Sequence, residues 1–483
     1  MNVPKSPKAI NVLFGAVCLL VGVLLAYLDY LSPGYSGGGD TYNHYLIARF
    51  SWQNPELLLD YWGKPVYTVI ASLFARLGLA GSVLLNVLCL IGSAVAVFIT
   101  AKRLNYKNYF LAGVIVLLCP VFLDNTISSL TEPLFAFFLA LIVMLISQNR
   151  IGAAAVFAGF LPHLRSEGLI IFGILLVYFM LKNRSIKPLL LMAVGSLGIN
   201  MLGWWQTGEP FWIITSNPYI GAQLSGASIC GSGSLLHYPM KTHYTFGLIN
   251  SFLAAFSAIV IAWHLYKKKI GLYAPIVLIL VLFLAFYAAH VFIWWQGLMG
   301  SCGYVRVMTI VAPLIALLIV YAIEHILESM ANLKSKNSYG LQIGFVIFMF
   351  LVQITTPIRY FRHRYPIPLS EEEEVFQEVA LWYKNLEVSG NATVYLNPYF
   401  SVVGDVNPYD NTQHFKLYTS AIQWIKSGDI VIWDAHFCPN EGGVPKATFV
   451  GNPEYEYLKT FKPKERYITL NDYEYEVLVF RKR

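Results

Sequence analysis

The sequence predicts a polytopic, all-α bundle of membrane-spanning helices followed by a small α/β region. Three observations carry the prediction. Of 483 residues 57% are hydrophobic and 13% charged, where soluble domains carry about 25% charged residues; the mean hydropathy is +0.56. Apolar runs recur from residue 10 to residue 357, many near the roughly 20 residues that a helical span needs. Beyond Tyr365 the chain becomes charged and tyrosine-rich. The net charge of +7 fits lysines and arginines in cytoplasmic loops better than a nucleic-acid partner.

The first run, "AINVLFGAVCLLVGVLLAYL", is followed by no small-residue cleavage site and reads as a retained helix rather than a signal peptide. Further spans are expected at 82–101, 108–124, 131–147, 187–205, 246–265, 272–293, 305–326 and 340–357. Two shorter apolar pieces between 151 and 181 are separated by "HLRSEG". Basic residues decide whether they form one broken crossing or a hairpin. Lys5 and Lys8 place the N-terminus inside, and Lys102, Arg103, Lys107 and Arg150 mark the next cytoplasmic turns. A hairpin also returns Lys182, Arg184, Lys187, Lys267, Lys268, Lys269, Lys334 and Lys336 to the cytoplasm. The hairpin is therefore expected, giving about eleven helices with the C-terminus outside. Arg359, Arg362 and Arg364 break the rule.

The polar connections then fall on the outer face: 29–81, 124–133, 162–168, 206–245 and 294–304. The expected domains are a membrane part, 1–357, and an extracytoplasmic C-terminal α/β domain, 358–483, with "EEEEVFQEVALWYKNL" as an amphipathic helix and "ATVYL", "DIVIWDAHF" and "YEVLVFRK" as strands. The six cysteines show no metal-ligand spacing. Small unpaired side chains are the expectation, although an oxidising face would allow a Cys230–Cys302 disulfide.

Ionisable residues at membrane depth are costly, so those at outer helix ends are functional candidates. In "YSGGGDTYNHYLIARF" three glycines deliver Asp40 to a helix start. A cap would explain Asp40, but a cap does not need the glycine run; a reactive carboxylate is the preferred reading. His44 shares its helical face, either as a site residue or as a hydrogen-bonded interface histidine. Asp60 reads as surface acid or site residue. Glu132, before Pro133, reads first as a capping carboxylate. Arg165 and Glu167 form a mutual ion pair or bind an anion. Arg306 opens a span against the helix dipole and should meet an anion. Aromatics at 204–212 and 293–297 read mainly as an interfacial belt.

These residues, in this order, resemble the GT-C superfamily of integral-membrane glycosyltransferases. "GGGDTYNHYLIA" with "NPELLLDYWGKPVYTVIASLFARLG" is similar to the family's first outer loop, here 29–81. "SSLTEPLFAFFLAL" and "GFLPHLRSEGLIIFGILLVYFMLKNR" resemble its fourth to sixth helices. "GYVRVMTIVAPLIALLIVY" resembles its late helix, with Arg306-Val307 in place of an Arg-Tyr opening. The family's acidic pair is absent, since Thr41 follows Asp40. The resemblance covers residues 1–357 and implies a polyprenyl-phosphate-linked sugar as donor. Direct displacement needs a base near the acceptor hydroxyl and a fixed cation for the leaving lipid phosphate; Asp40 suits the first and Arg306 or Arg165 the second, with His44, Asp60, Glu132 and Glu167 as further substrate-binding candidates.

The expected function is transfer of a hexosyl or pentosyl group to an acceptor hydroxyl of a glycan, lipid or protein on the outer face, by inverting displacement. The expected setting is the bacterial inner membrane. No cofactor is expected, and dependence on a divalent metal stays open. The rivals are a transporter or flippase for a lipid-linked glycan, which predicts broken helices in corresponding halves, and a non-catalytic envelope-assembly scaffold. The sequence shows one interrupted pair, at 151–181.

Overall fold

Each apolar run becomes a helix, because backbone groups at membrane depth find no water and must satisfy one another. The computed structural model describes residues 7–183, 185–216, 230–332, 337–362, 364–386, 391–469 and 472–483. Lys5, Arg184, Lys334 and Lys336, used above for orientation, lie outside the described residues. The helices are α1 (Pro7–Leu31), α2 (Gly39–Phe50), α3 (Pro65–Ala75), α4 (Leu79–Arg103), α5 (Tyr109–Leu117), α6 (Pro120–Thr126), α7 (Glu132–Ser147), α8 (Ile151–Ala158), α9 (Leu161–Leu164), α10 (Gly168–Asn183), α11 (Lys187–Thr207) and α12 (Trp212–Thr215). They continue with α13 (His237–Thr245), α14 (Leu248–Tyr266), α15 (Pro275–Gln296), a 3₁₀ turn (Val305–Val311), α16 (Ala312–Ala331) and α17 (Ser338–Phe361).

Among the described residues, seven helical segments are long and apolar enough to cross a membrane: α1, α4, α11, α14, α15, Val305–Ala331 and α17. A bent pair, α5 and α6, makes an eighth. The other crossings in the sequence-based count fall on α7, on α8 with α9, and on α10, which are apolar but shorter. The 48° bend between α5 and α6 lies at Pro120, which has no N–H to continue the ladder. It is a second interruption, where the sequence displayed only the one at 151–181. There the turn at Arg165–Glu167 separates α9 from α10. Helix α8 approaches α11 so closely that a Cβ on Gly159 or Gly195 would collide with the facing backbone. Glycine lets the two helices touch.

The tail forms α18 (Glu371–Tyr383), β1 (Thr393–Tyr395), α19 (Pro398–Gly404), β2 (His414–Lys416), β3 (Ile430–Asp434), α20 (Phe437–Asn440), β4 (Tyr455–Phe461) and β5 (Val477–Lys482). Ser370 and Glu373 close a capping box at the start of α18. The strand order is β2-β1-β3-β5-β4, parallel from β2 to β3 and antiparallel beyond. The sheet and α18 bury their own core around Trp433, Phe400 and Val479, and Tyr42 of α2 inserts into it. Further ties hold the tail to the first loop. Gly34 donates to the Ile367 carbonyl (3.0 Å), the Ile367 N–H bonds Ser32 (2.9 Å), and Arg49 pairs with Asp405 (2.6 Å).

One cysteine expectation is overturned. Cys230 and Cys302 form a disulfide, with Cα atoms 5.1 Å apart. The other four cysteines are free and buried. Seventy-two residues separate the bonded pair, so only the folded bundle brings them within bridging distance.

Candidate active site

The glycine run has a geometric purpose. Gly37 and Gly38 both have positive φ, +93° and +54°, and a Cβ on Gly37 would press on Thr41 and Leu130. Only glycine adopts this turn without strain. It sets Gly38 as the N-cap of α2 and places Asp40 inside the first helical turn. Asp40 is therefore not the cap, and its carboxylate is directed at Arg306 instead.

Arg306 comes from the 3₁₀ turn ahead of α16. Its guanidinium meets Asp40 Oδ2, lies 3.4 Å from Glu132 Oε1 through Nε, and covers the Tyr304 ring at 4.6 Å. Glu132 opens α7 and is fully buried. It lies in the first turn of the helix, where a carboxylate suits the dipole, but no side-chain cap bond forms at that end and its partners are arginines. Glu132 lies between two arginines, with Arg165 Nη1 at 3.0 Å on the other side. Arg165 then forks onto Glu167, at 3.0 and 3.3 Å, and donates to Thr131 Oγ1 at 2.7 Å. Burial alone would push the Glu167 carboxyl up, but Arg165, His290 and a backbone hydrogen bond together outweigh it and Glu167 is held down to about 2. Five predicted residues thus form one alternating row: Asp40, Arg306, Glu132, Arg165, Glu167.

His44 lies beside the row without joining it. Its ring stacks on Trp62 (centroids 4.6 Å apart) and meets Tyr67 edge-on. Burial first, then Lys64, Arg165 and Arg306, hold its pKa well below the ordinary histidine range, so the ring is neutral. Asp60 has a local partner, accepting the Gly63 N–H at 2.6 Å. It stays outside the row.

Sequence reasoning missed Lys64. This lysine is 8% exposed and donates to the Tyr61 carbonyl at 3.1 Å. Burial, then repulsion from Arg165, lowers its pKa to about 8, against attraction from Glu167, Asp60 and Glu132. In sequence, "GKP" reads as a surface turn; the signal available was a lone lysine between aromatic residues and an apolar helix. A second missed pair is Asp124–Arg364 (2.7 Å), with Ser36 3.2 Å from the same carboxylate. It gives one of the three rule-breaking arginines a partner. Together the row and Lys64 set three acidic side chains, Asp40, Glu132 and Glu167, against three basic ones, Arg306, Arg165 and Lys64.

No protein-family model matches the chain, and no curated protein is similar to it in sequence. Solved structures are. ArnT from Cupriavidus metallidurans bound to undecaprenyl phosphate superposes with a TM-score of 0.60 at 11% identity, over 98% of each chain. Its apo state matches equally well. The oligosaccharyltransferase of Archaeoglobus fulgidus, tethered to an acceptor peptide, has a TM-score of 0.52 at 11% identity over 86% of this chain and 69% of its own. Both are GT-C glycosyltransferases, and this chain has the GT-C fold. It is a multi-pass integral-membrane protein of that architecture, as the sequence resemblance implied.

Proposed function

We propose that the protein transfers a sugar from a polyprenyl-phosphate donor to an acceptor hydroxyl on the outer face of the membrane. The observation that carries this reading is the row of alternating charges at the helix ends, centred on Arg306. A lipid phosphate reaching this site would compete with Asp40 for the Arg306 guanidinium, which offers a planar fork suited to phosphate. Arg165 and Lys64 add positive charge behind it. Displaced from Arg306, Asp40 becomes free to accept the acceptor's proton. The acceptor oxygen then bonds the anomeric carbon as the bond from that carbon to the phosphate oxygen breaks. Polyprenyl phosphate leaves with the electron pair, its new charge held by the arginines. Direct displacement inverts the anomeric centre, and either a hexosyl or a pentosyl group fits the scheme. His44 and Asp60 are in this reading wall residues of the donor site.

The test is donor binding. Arg306→Ala is expected to weaken binding of polyprenyl phosphate by about 2–5 kcal/mol, with Arg306→Lys recovering only part. Unchanged affinity in Arg306→Ala would remove the phosphate site from the row.

We place the boundary between the membrane part and the tail near residue 357, with the tail outside the bacterial inner membrane. The Cys230–Cys302 disulfide supports an oxidising compartment for the connection that carries it. A reporter fused after residue 184 is expected to read cytoplasmic, and one fused after residue 483 external. Cytoplasmic signal from the second fusion would invert the whole arrangement.

A further inference from the structure

The first turn of α2 has two sides. Thr41 is buried on the bundle side and Asp40 reaches Arg306 there, while Gly39 and Tyr42 face the tail. On that second side, between α2 and the helix starts and loops of the tail, lies a cavity of about 410 Å³. Its edge is Gly38–Gly39, the two residues immediately before Asp40. The donor row described above begins at Asp40, the next residue along the same helical turn.

We propose that this cavity receives the acceptor, and that the acceptor is a non-anionic saccharide, uncharged or amino-bearing. The proposal rests on the donor reading of the row. Tyr399, Phe437 and Tyr467 line the cavity with aromatic side chains, surfaces against which the apolar faces of a sugar ring pack. Hydrogen-bonding groups are set among them. Glu372 accepts from Tyr467 (2.8 Å) and from His436 Nδ1 (2.8 Å), which fixes the carboxylate, while Glu371 lies at the exposed rim. Among the described residues of the lining His436 is the one basic side chain, and it faces three glutamates at positions 371–373. Burial disfavours its charge, but Glu372, Asp434 and Glu441 overcome burial and raise its pKa. A phosphorylated acceptor would meet the glutamates at 371–373 in the lining; a hydroxyl or ammonium group would not be repelled by them.

The chemistry of the two spaces is therefore opposed. The donor side holds a cation for each of its carboxylates, with Arg306 able to exchange Asp40 for a phosphate, whereas the acceptor lining sets glutamates 371–373 and aromatic rings around one histidine. Such a division keeps the leaving polyprenyl phosphate from occupying the acceptor cavity. Discrimination of this kind comes from repulsion as much as from attraction.

The experiment uses the full chain in lipid nanodiscs with three probes: N-acetylglucosamine, glucosamine and glucosamine 6-phosphate. Binding is followed by saturation-transfer NMR, and polyprenyl phosphate binding is read in the same preparation. The first two sugars should bind in the millimolar range, and the phosphorylated one should bind about tenfold or more weakly, as like charges across a site require. Glu371→Lys should shrink that gap to about threefold without altering lipid binding, since one reversed rim charge relieves much of the repulsion. Tyr467→Ala should weaken all three sugars by about fivefold through loss of ring packing. Equal binding of the phosphorylated sugar, an unchanged gap in Glu371→Lys, or no sugar binding at about 10 mM would overturn the proposal. Loss of lipid binding by Arg306→Ala with sugar binding intact separates the two sites and supports it. If the parent binds the sugars in the expected order but no polyprenyl phosphate, the cavity stands and the donor reading falls.

Discussion

Asp40→Asn is expected to lower sugar transfer by on the order of 10²–10⁴ while the protein still inserts, purifies and binds donor. A positioned general base contributes that much, and asparagine keeps the shape of aspartate while losing the proton acceptor. The structure makes the substitution a clean one. Gly38, not Asp40, caps α2, so the helix start does not depend on the carboxylate. The Asp40 side chain is 38% exposed, and its pairing with Arg306 should therefore stabilise the fold by about 1 kcal/mol at most. The assay follows labelled sugar leaving a polyprenyl-phosphate carrier in the presence of a crude envelope acceptor. Transfer at the parental rate would exclude Asp40 as the base and turn attention to His44 and Asp60. A stability loss with full activity per folded molecule would reduce Asp40 to a structural partner of Arg306.

Glu132→Ala is expected to show the opposite pattern, a large loss of stability of about 3–5 kcal/mol. The carboxylate is fully buried, and it is the shared anion between Arg165 and Arg306. Without it two largely buried guanidiniums lose the carboxylate they share, and only Asp40 and Glu167 are left to offset them. An added anion should then repair the damage. Polyprenyl phosphate at a hundredfold excess over its Kd returns about 2.7 kcal/mol to any protein that binds it only when folded. Thermal melting of Glu132→Ala in nanodiscs, with and without the lipid, measures both effects. A melting midpoint unchanged from the parent would mean that the row is not the electrostatic unit its geometry describes.

The sequence made much of this site legible for one physical reason. An ionised side chain beside a membrane span is expensive, so each one has a cause that can be sought. Asp40, Glu132, Arg165, Glu167 and Arg306 stood out on that ground, and the fold gathers all five. Their partners were harder to read, because pairing is a property of three dimensions. Glu132 resembled a cap, since a carboxylate before a proline at a helix start has a sufficient local explanation. Lys64 was missed because its burial depends on the surrounding fold, and "GKP" carries no trace of that. The long helices were visible as apolar runs, whereas the bend at Pro120 lay hidden within one of them. In the tail, β3 and β5 are buried, apolar strands and were read correctly. Strand β4 is an edge strand with a largely exposed face, and β2 has only three residues; neither has the apolar period that marks a strand.

The burial of α16 has a consequence for how the protein meets bilayers of different thickness. The most apolar stretch of Val305–Ala331 is wholly enclosed by protein, while α1, α11 and α17 are only 22% buried over theirs. Hydrophobic mismatch acts through the helices that lipid touches, by tilting them or deforming the bilayer around them. The outer helices absorb that adjustment. The helix that follows Arg306 is buried from Ala312 to Glu324, so side-chain packing rather than lipid contact sets the position of that stretch. A thicker or thinner membrane can lean on the rim of the bundle while the arginine keeps its distance from Asp40 and Glu132.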